Sequence, residues 1–410
     1  MTSGRRRVER RVPTWGAVAP LLGFRRPVWN ATDRRLAKAL SVKDLARIAR
    51  RNTPRSVFDY VHGAAEDEHG IARARRAFAE VEFEPRVLHD VATVDTSATI
   101  LGRPASMPLI MAPTGFTRMM HHEGEIAVAG AAARAGVPYT LSTLGTTSPG
   151  ELVTAVPAGD NWFQLYLWKD RDGTRKMIDD ARRAGYSTLV LTVDTPVAGN
   201  RLRDARNGLT IPPTLNAKTI WDMAWHPAWW FNVLTTAPIE FASLRSFDGT
   251  VAELVAKMFD PSLRIEDLAW LREQWEGELV VKGIQSVADA KRVVDAGADA
   301  LVVSNHGGRQ LDRAPTPLRL LPEVAAAVGD DAEIFLDTGI LSGADVLAAV
   351  GLGADACMVG RAYLYGLMAG GERGVDRMLQ IMRAEAVRTM QLTGVSTVHE
   401  LRGRVRLAAR

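Results

Sequence analysis

Eight short apolar runs, separated by helical patterns, limit what this chain can fold into more than any other feature. They lie near Pro108 to Ala112, Val137 to Ser142, Trp162 to Tyr166, Thr188 to Asp194, Leu279 to Lys282, Ala300 to Ser304, Glu333 to Asp337 and Ala356 to Gly360. Each has the length of a strand buried on both faces, which reads as a near-continuous hydrophobic run. Amphipathic stretches ending in glycine separate most of them, such as Val287 to Asp295 before Ala296-Gly297. Eight strands with helical crossovers satisfy the count for an α/β fold of the (β/α)8 TIM barrel type. A doubly wound sheet is the alternative, but no Gly-x-Gly-x-x-Gly follows a strand, so the dinucleotide fingerprint is missing. A closed barrel can hold most of a 410-residue chain as one domain.

Two stretches break the rhythm. Residues 1 to about 40 have no clean period and many arginines, and read as a basic N-terminal extension ahead of a barrel domain spanning 41–410. The barrel domain opens with helices: Ser41 is an N-cap candidate with Asp44 three positions on, Leu45, Ile48 and Ala49 repeat at helical spacing, and Pro54 ends the pattern. A second helix is expected before Phe58 to Gly63, and this helical piece should cover the barrel's bottom or reach its mouth. The connection between Asp194 and Leu279 is too long for an ordinary loop, so an insertion is expected at about 205–265, where Trp221, Trp225, Trp229 and Trp230 cluster. Two readings of these rings stand side by side: they pack the insertion onto the barrel, or they form an amphipathic patch near His226 to Leu234 that meets a membrane or a quinone carrier.

Charge and cysteine usage narrow the partners. The formal net charge of +4 is concentrated at the ends, in Arg5, Arg6, Arg7, Arg10 and Arg11 and in Arg402, Arg404, Arg406 and Arg410. Solvated basic tails fit this better than a nucleic-acid surface, and they leave room for contact with an anionic membrane. The single cysteine, Cys357, cannot form an internal disulfide, which points to a reduced, cytoplasmic protein, with peripheral attachment to the inner face of the plasma membrane left open. Gly16 to Phe24 is superficially like a short signal core, but Arg25-Arg26-Pro27 follows and no cleavage site is clear. No apolar run reaches the roughly 18 residues that a spanning helix needs.

The stretch Ser304-Asn305-His306-Gly307-Gly308-Arg309-Gln310-Leu311-Asp312 emerges where the sixth run ends, at the face where α/β barrels keep their chemistry. A potential base, two glycines that let a flat ligand approach and an always-charged guanidinium suit deprotonation of an anionic substrate beside a cofactor. These nine residues resemble the signature of the FMN-dependent L-2-hydroxy acid dehydrogenases and oxidases, and the likeness runs from about Ser41 to about Val395. The long insertion and the N-terminal extension are most similar to those of the actinobacterial flavin-type L-lactate dehydrogenases.

The resemblance gives each strand end an expected task. Pro113, Thr114 and Gly115 would meet the flavin, with Gly115 matching the residue that lies against its face. Ser142 matches a flavin-contacting serine, whereas Leu144 stands where glycolate oxidases carry tryptophan. Gln164 and Tyr166 share a face by period-two alternation, the amide suited to the flavin's pyrimidine edge and the phenol to substrate. Thr192 and Asp194 also share a face; Asp194 would orient His306 and stabilise its protonated form. Arg201, with Arg203 and Arg206 nearby, matches the family's second carboxylate-binding arginine, and Tyr60 matches its substrate-contacting tyrosine. Lys282, costly inside an apolar strand, would sit over the flavin's N1 and O2 edge and stabilise the reduced anion. Ser304 and Asp337 are expected cofactor contacts. Gly339, Gly360 and Arg361 would hold the phosphate at the last two loops, a common barrel arrangement. Thr338 and Leu341 depart from the Gly-Gly and arginine of many relatives, so phosphate grip should rest more on Arg361 and backbone amides.

The implied reaction is oxidation of an L-2-hydroxy acid to a 2-oxo acid by FMN, with L-lactate to pyruvate as the leading case. Arg309 and Arg201 would clamp the carboxylate while His306 takes a proton, by a hydride or a carbanion-like route. Electrons would pass to a quinone or another acceptor. An oxygen-using oxidase or monooxygenase, and a mandelate-type dehydrogenase, are the alternatives. A non-catalytic FMN-binding barrel would need a missing base or clamp, and a phosphosugar-binding barrel fits Gln164, Tyr166 and Lys282 less well. No metal is called for, and the family implies a homotetramer.

Overall fold

The computed structural model describes residues 11–21, 29–208, 217–242 and 259–408. In it the eight runs become eight parallel strands of one closed barrel: β1 (Leu109–Met111), β2 (Tyr139–Ser142), β3 (Asn161–Leu165), β4 (Thr188–Thr192), β5 (Glu278–Ile284), β6 (Ala300–Val303), β7 (Glu333–Leu336) and β8 (Ala356–Val359). Neighbours follow chain order and β8 pairs with β1, so each strand-helix unit is laid beside the last. Only β5 runs longer than expected. Its ladder shifts register between Lys282 and Ile284, across Gly283 at φ +113°. Glycine is needed there, because a Cβ would sit 2.7 Å from the Asp194 side chain.

Strand parity divides the core in two. Ile110, Trp162, Val190, Val280, Val302, Phe335 and Met358 form an inner cluster with Ile100 and Leu101, which plug the bottom from a hairpin of Ala98–Ile100 and Arg103–Ala105. Their strand neighbours, such as Leu109, Phe163, Leu189, Leu279 and Leu301, face outward and pack under the helices. This parity sets the site, because the next inward positions toward the C-terminal ends are Gln164, Thr192, Lys282, Ser304, Asp337 and Gly360.

The opening helices meet expectation. In α1 (Val42–Asn52) Ser41 and Asp44 form a complete capping box. After Pro54, α2 (Arg55–His62) carries Tyr60, Val61 and His62 to the barrel's mouth rather than to its bottom, and α3 (His69–Ala79) follows. The insertion contributes α4 (Ala217–Ala224) and α5 (Pro227–Leu234). Residues 209–216 and 243–258 of the insertion lie outside the described residues, as do Arg5, Arg6, Arg7, Arg10 and Arg410 and residues 22–24 of the signal-like stretch. Trp229 packs on the core and donates its indole N–H to the Met119 carbonyl at 2.9 Å, whereas Trp221 and Trp225 are each 67% exposed. Trp229 therefore packs the insertion onto the barrel, while Trp221 and Trp225 stand clear of the core. No helix among the described residues is long and apolar enough to cross a membrane.

After β8 the chain closes with α6 (Arg361–Gly370) and α7 (Glu372–Thr393), which touch through glycines. A Cβ on Gly366 would lie 2.6 Å from the Gly374 carbonyl oxygen, which is backbone and cannot swing aside. Gly366→Ala should therefore part the two helices and cost about 1–3 kcal/mol. The check is the urea midpoint of unfolding, which should fall with an unchanged slope; an unmoved midpoint would mean that the crossing tolerates the extra carbon.

Candidate active site

A cavity of about 640 Å³ opens at the C-terminal ends of the strands, within the usual size of a cofactor and substrate site. Parity delivers Gln164, Thr192, Lys282, Asp337 and Gly360 to its wall. Loops beyond the strands add Pro113, Thr114 and Gly115 on one side and His306 and Arg309 on the other. Ser142, Tyr166, Arg201, Gly339 and Arg361 also line it, and α2 brings Tyr60 from above. Two expected site residues stand outside the lining, Asp194 and Ser304.

Asp194 is buried behind His306, its Oδ1 2.9 Å from the imidazole Nδ1. The contact engages one ring nitrogen and leaves Nε2 for the cavity. The carboxylate's other oxygen, Oδ2, is buried without a hydrogen-bond partner among the described residues, and the charge nearby that answers it is the buried ammonium of Lys282.

Ser304 stands just behind the cavity lining. Its direction is right, but the amine of Lys282 fills the space in front of it and donates to its hydroxyl at 3.0 Å. That hydroxyl donates to Asp337 Oδ2 at 2.8 Å and accepts the His306 N–H at 3.0 Å. Lys282 and Asp337 themselves form an ion pair at 2.9 Å, with Lys282 buried. Burial alone would push the Asp337 carboxyl up, yet Lys282 and Ser304 bring it below its ordinary value. Burial would likewise pull Lys282 down, and Asp337 with Asp194 holds it above.

Arg309 and Arg201 stack on the same ring, with their guanidinium carbons 4.8 and 5.2 Å from the centre of Tyr60. Arg201 has a counter-ion, Asp204, at 3.4 Å; burial works against its charge, but Tyr60 and Asp204 raise its pKa. Arg309 donates to the Tyr60 carbonyl, and among the described residues no carboxylate lies within ion-pair distance of it. Burial, with Arg201 alongside, pulls it down to about 10. The two respond oppositely because one is paired and the other is not. Both stay cationic at neutral pH, and a buried surplus of positive charge is what an anionic ligand would relieve. Tyr166 is held as a neutral phenol by burial and by nearby Asp194.

The residues fit a flavin. The Gln164 side chain is buried: its Oε1 accepts from Ser142 Oγ at 3.0 Å and from the Thr143 amide at 3.2 Å, while its Nε2 has no partner among the described residues. A buried donor without an acceptor calls for a ligand carbonyl or ring nitrogen. Gly115 lies flat against Leu144, where a Cβ would approach Leu144 Cβ to 2.7 Å. At the far end Arg361 donates through Nε to the Val61 carbonyl and through Nη2 to the Gly63 carbonyl, at 2.9 and 2.8 Å. Its Nη1 lies against Gly307, close enough that a Cβ there would sit 2.5 Å away.

Several lining residues escaped the sequence reading. Arg75 reaches the cavity from α3, bonded to the Gly339 carbonyl and to Asp345. His62 lies there too, its Nδ1 2.9 Å from the Tyr365 hydroxyl. Phe241 and Phe259 come from the insertion, and no local pattern marks them. Asp204, three residues after Arg201, could have been read from helical spacing.

Comparison with known proteins agrees with this geometry. Residues 49–407 match the family described as FMN-dependent dehydrogenase. A Mycobacterium tuberculosis protein, provisionally named an L-lactate dehydrogenase, is 56% identical over 394 residues, 96% of this chain and 95% of that one. The L-lactate dehydrogenase of Caulobacter vibrioides is 42% identical over 365 residues, covering 87% of this chain and 95% of its own. Among solved structures, a (S)-mandelate dehydrogenase described as a monotopic membrane protein superposes with a TM-score of 0.87 at 37% identity, over 90% of this chain and all of that one.

The Lys282–Asp337 pair has a pH signature. Asp337, depressed, contributes stability that is present above its ordinary 3.8 and is lost as pH falls through its lower folded value. Lys282, raised, contributes stability that is present below 10.5 and is lost as pH rises through its higher folded value. Asp337→Asn leaves the ammonium without a counter-ion and should cost about 3–5 kcal/mol at neutral pH. Urea titrations at pH 7 and near pH 3 should show this difference narrowing at the acid end; an equal loss at both would mean that the charge of Asp337 is not what matters.

Proposed function

Because this chain belongs to the FMN-dependent dehydrogenase family, we propose that it oxidises a small L-2-hydroxy acid, L-lactate to pyruvate in the leading case. The single observation that carries the reading is one cavity holding a carboxylate-backed imidazole, His306 on Asp194, beside a guanidinium without a counter-ion, Arg309.

FMN bound in the cavity supplies the two-electron acceptor. Gln164 Nε2 and Lys282 would hold its ring, and Gly339, Gly360 and Arg361 would hold its phosphate. Arg309 and Arg201 take the substrate carboxylate, and the shared Tyr60 ring keeps their planes in fixed relation, which limits the poses of the α-carbon. Tyr166, a neutral phenol, donates to the carboxylate or hydroxyl. His306 Nε2 accepts the hydroxyl proton, and Asp194 stabilises the imidazolium so formed. With the hydroxyl proton on His306, loss of the α-hydrogen together with its bonding pair would leave the 2-oxo acid, and that two-electron equivalent is what FMN would take up.

A mandelate-type substrate is the second reading, supported by an apolar wall over the clamp. The Phe116 and Phe241 rings are 4.5 Å apart, Phe259 meets Tyr166 edge-on at 6.3 Å, and Leu144 completes the surface. An aryl or branched side chain would bury more there than the methyl of lactate.

The acceptor side of the reaction we assign to a lipid-borne quinone. Ile220 and Trp221 on α4, Trp225 in the turn after it, and Phe231 and Leu234 on α5 are all more than half exposed, a concentration of apolar side chains of the kind that marks an interaction surface. The structural relative described as a monotopic membrane protein supports contact of this surface with a bilayer. Peripheral attachment through these two helices would bring the cavity mouth to the bilayer.

Two experiments decide these points. His306→Gln should slow anaerobic bleaching of the bound flavin by hydroxy acids about 10²- to 10⁴-fold. Bleaching at the parent rate would remove His306 as proton acceptor. In the parent, a panel from lactate to mandelate ranks the substrates, and prompt peroxide on admitting air would replace the dehydrogenase reading with an oxidase. For the surface, the parent should co-sediment with anionic vesicles, and the triple substitution Trp221→Ser, Trp225→Ser, Phe231→Ser should abolish this while leaving bleaching intact. Equal sedimentation of both proteins would rule out docking through α4 and α5.

A further inference from the structure

Seven described residues other than glycine have a positive φ, and Thr338, at +87°, is the only β-branched one among them. Left-handed backbone is most costly for such a side chain, and strain of this kind persists only where the surroundings hold it in place. A second member of the seven, His306 at φ +58°, is its neighbour in space. One bond joins the two: the Gly307 N–H, next to His306, donates to Thr338 Oγ1 at 3.0 Å.

We infer that Thr338 is a positioning residue for His306, holding the imidazole against Asp194 through the amide of Gly307. The two amides that flank the His306 Cα, those of residues 306 and 307, donate to two hydroxyls, Ser304 Oγ and Thr338 Oγ1. Both hydroxyl bearers are anchored on Asp337: Ser304 bonds its Oδ2, and the Thr338 amide bonds its Oδ1 at 2.6 Å. Turning His306 out of the left-handed region would break at least one of these bonds. Gly307 has no side chain to hold it otherwise, because Arg361 occupies the place where a Cβ would go. Thr338 is buried, so its hydroxyl is not spent on solvent. The strain at Thr338 thus has a structural return, an acceptor fixed where a glycine would offer none.

This inference rests on His306 being the proton acceptor, and the test separates the two ideas. In the holoenzyme, Thr338→Val keeps shape and strain but removes the acceptor, Thr338→Gly removes both, and Thr338→Ser keeps the hydroxyl. Valine and glycine should lower the limiting rate of anaerobic flavin reduction about tenfold, the worth of one hydrogen bond, with KM changed less than about twofold. Serine should restore the rate. The glycine variant should melt no lower than the parent, since relief of strain offsets the lost bond. Parent-like rates in Thr338→Val, a serine variant as slow as valine, or a glycine variant whose slower rate comes with a lower melting temperature or lost flavin would each overturn the inference. If His306→Gln itself bleaches normally, the base assignment fails instead.

Discussion

A charge removed from water inside a barrel must be compensated, and the compensation of Lys282 organises this site. Desolvating an ammonium and a carboxylate costs several kcal/mol each, and their attraction offsets this only if the remaining donors and acceptors are also satisfied. Here they are. Asp337 divides its oxygens between the Thr338 amide on one side and Lys282 with Ser304 on the other. Ser304 passes the connection on to the His306 amide. One ion pair thereby ties the ends of β5, β6 and β7 together, and the backbone of His306 hangs from it.

The opposite choice is made at the two arginines proposed to clamp the substrate. Arg201 keeps Asp204, but Arg309 has only a carbonyl and a ring face among the described residues. Both arginines stack on Tyr60, so the paired cation, Arg201, burdens the unpaired one, Arg309. Left in this state, the pair costs stability and attracts anions; an incoming carboxylate converts repulsion into two attractions at once. Asp194 balances the other end of the cycle. Its buried charge, half unpartnered, favours a proton arriving on His306 after the anion is in place. The two charge imbalances are of opposite sign.

Local periodicity carried much of this in the sequence. Period-two parity brought Gln164, Thr192, Lys282 and Asp337 to the cavity wall, because a strand's alternation is set by its own residues. The nine-residue stretch around His306 pointed to the base and one cation for the same reason: its chemistry is contiguous. Parity gives a direction but not a neighbour, which is why Ser304 aims at the cavity and yet meets Lys282 first. Contacts between distant segments were not readable. Arg75 on Gly339, the Arg203 bonds to Asp59 and Glu68, and the two phenylalanines from the insertion depend on how loops return over the barrel. The insertion's tryptophans were visible as a cluster, but only the fold separates Trp229, anchored on Met119, from its exposed companions.

Position along the barrel axis explains how such a site is tolerated. Below the rim, the inner layers are apolar and fully buried, from Ile110 and Trp162 to Phe335, with Ile100 and Leu101 sealing the bottom. Several unfavourable features gather above them: positive φ at His306 and Thr338, the unpaired Arg309 and the orphaned oxygen of Asp194. Strain of about 1–3 kcal/mol at a residue is affordable only where a large core supplies the difference. Replacing any of these features with a relaxed one would make the rim more stable and the clamp or the base less fit for its task. The division between a settled floor and a tense rim is therefore a requirement of the chemistry, and it follows from strands whose lower residues are chosen for packing and whose last residues are chosen for charge.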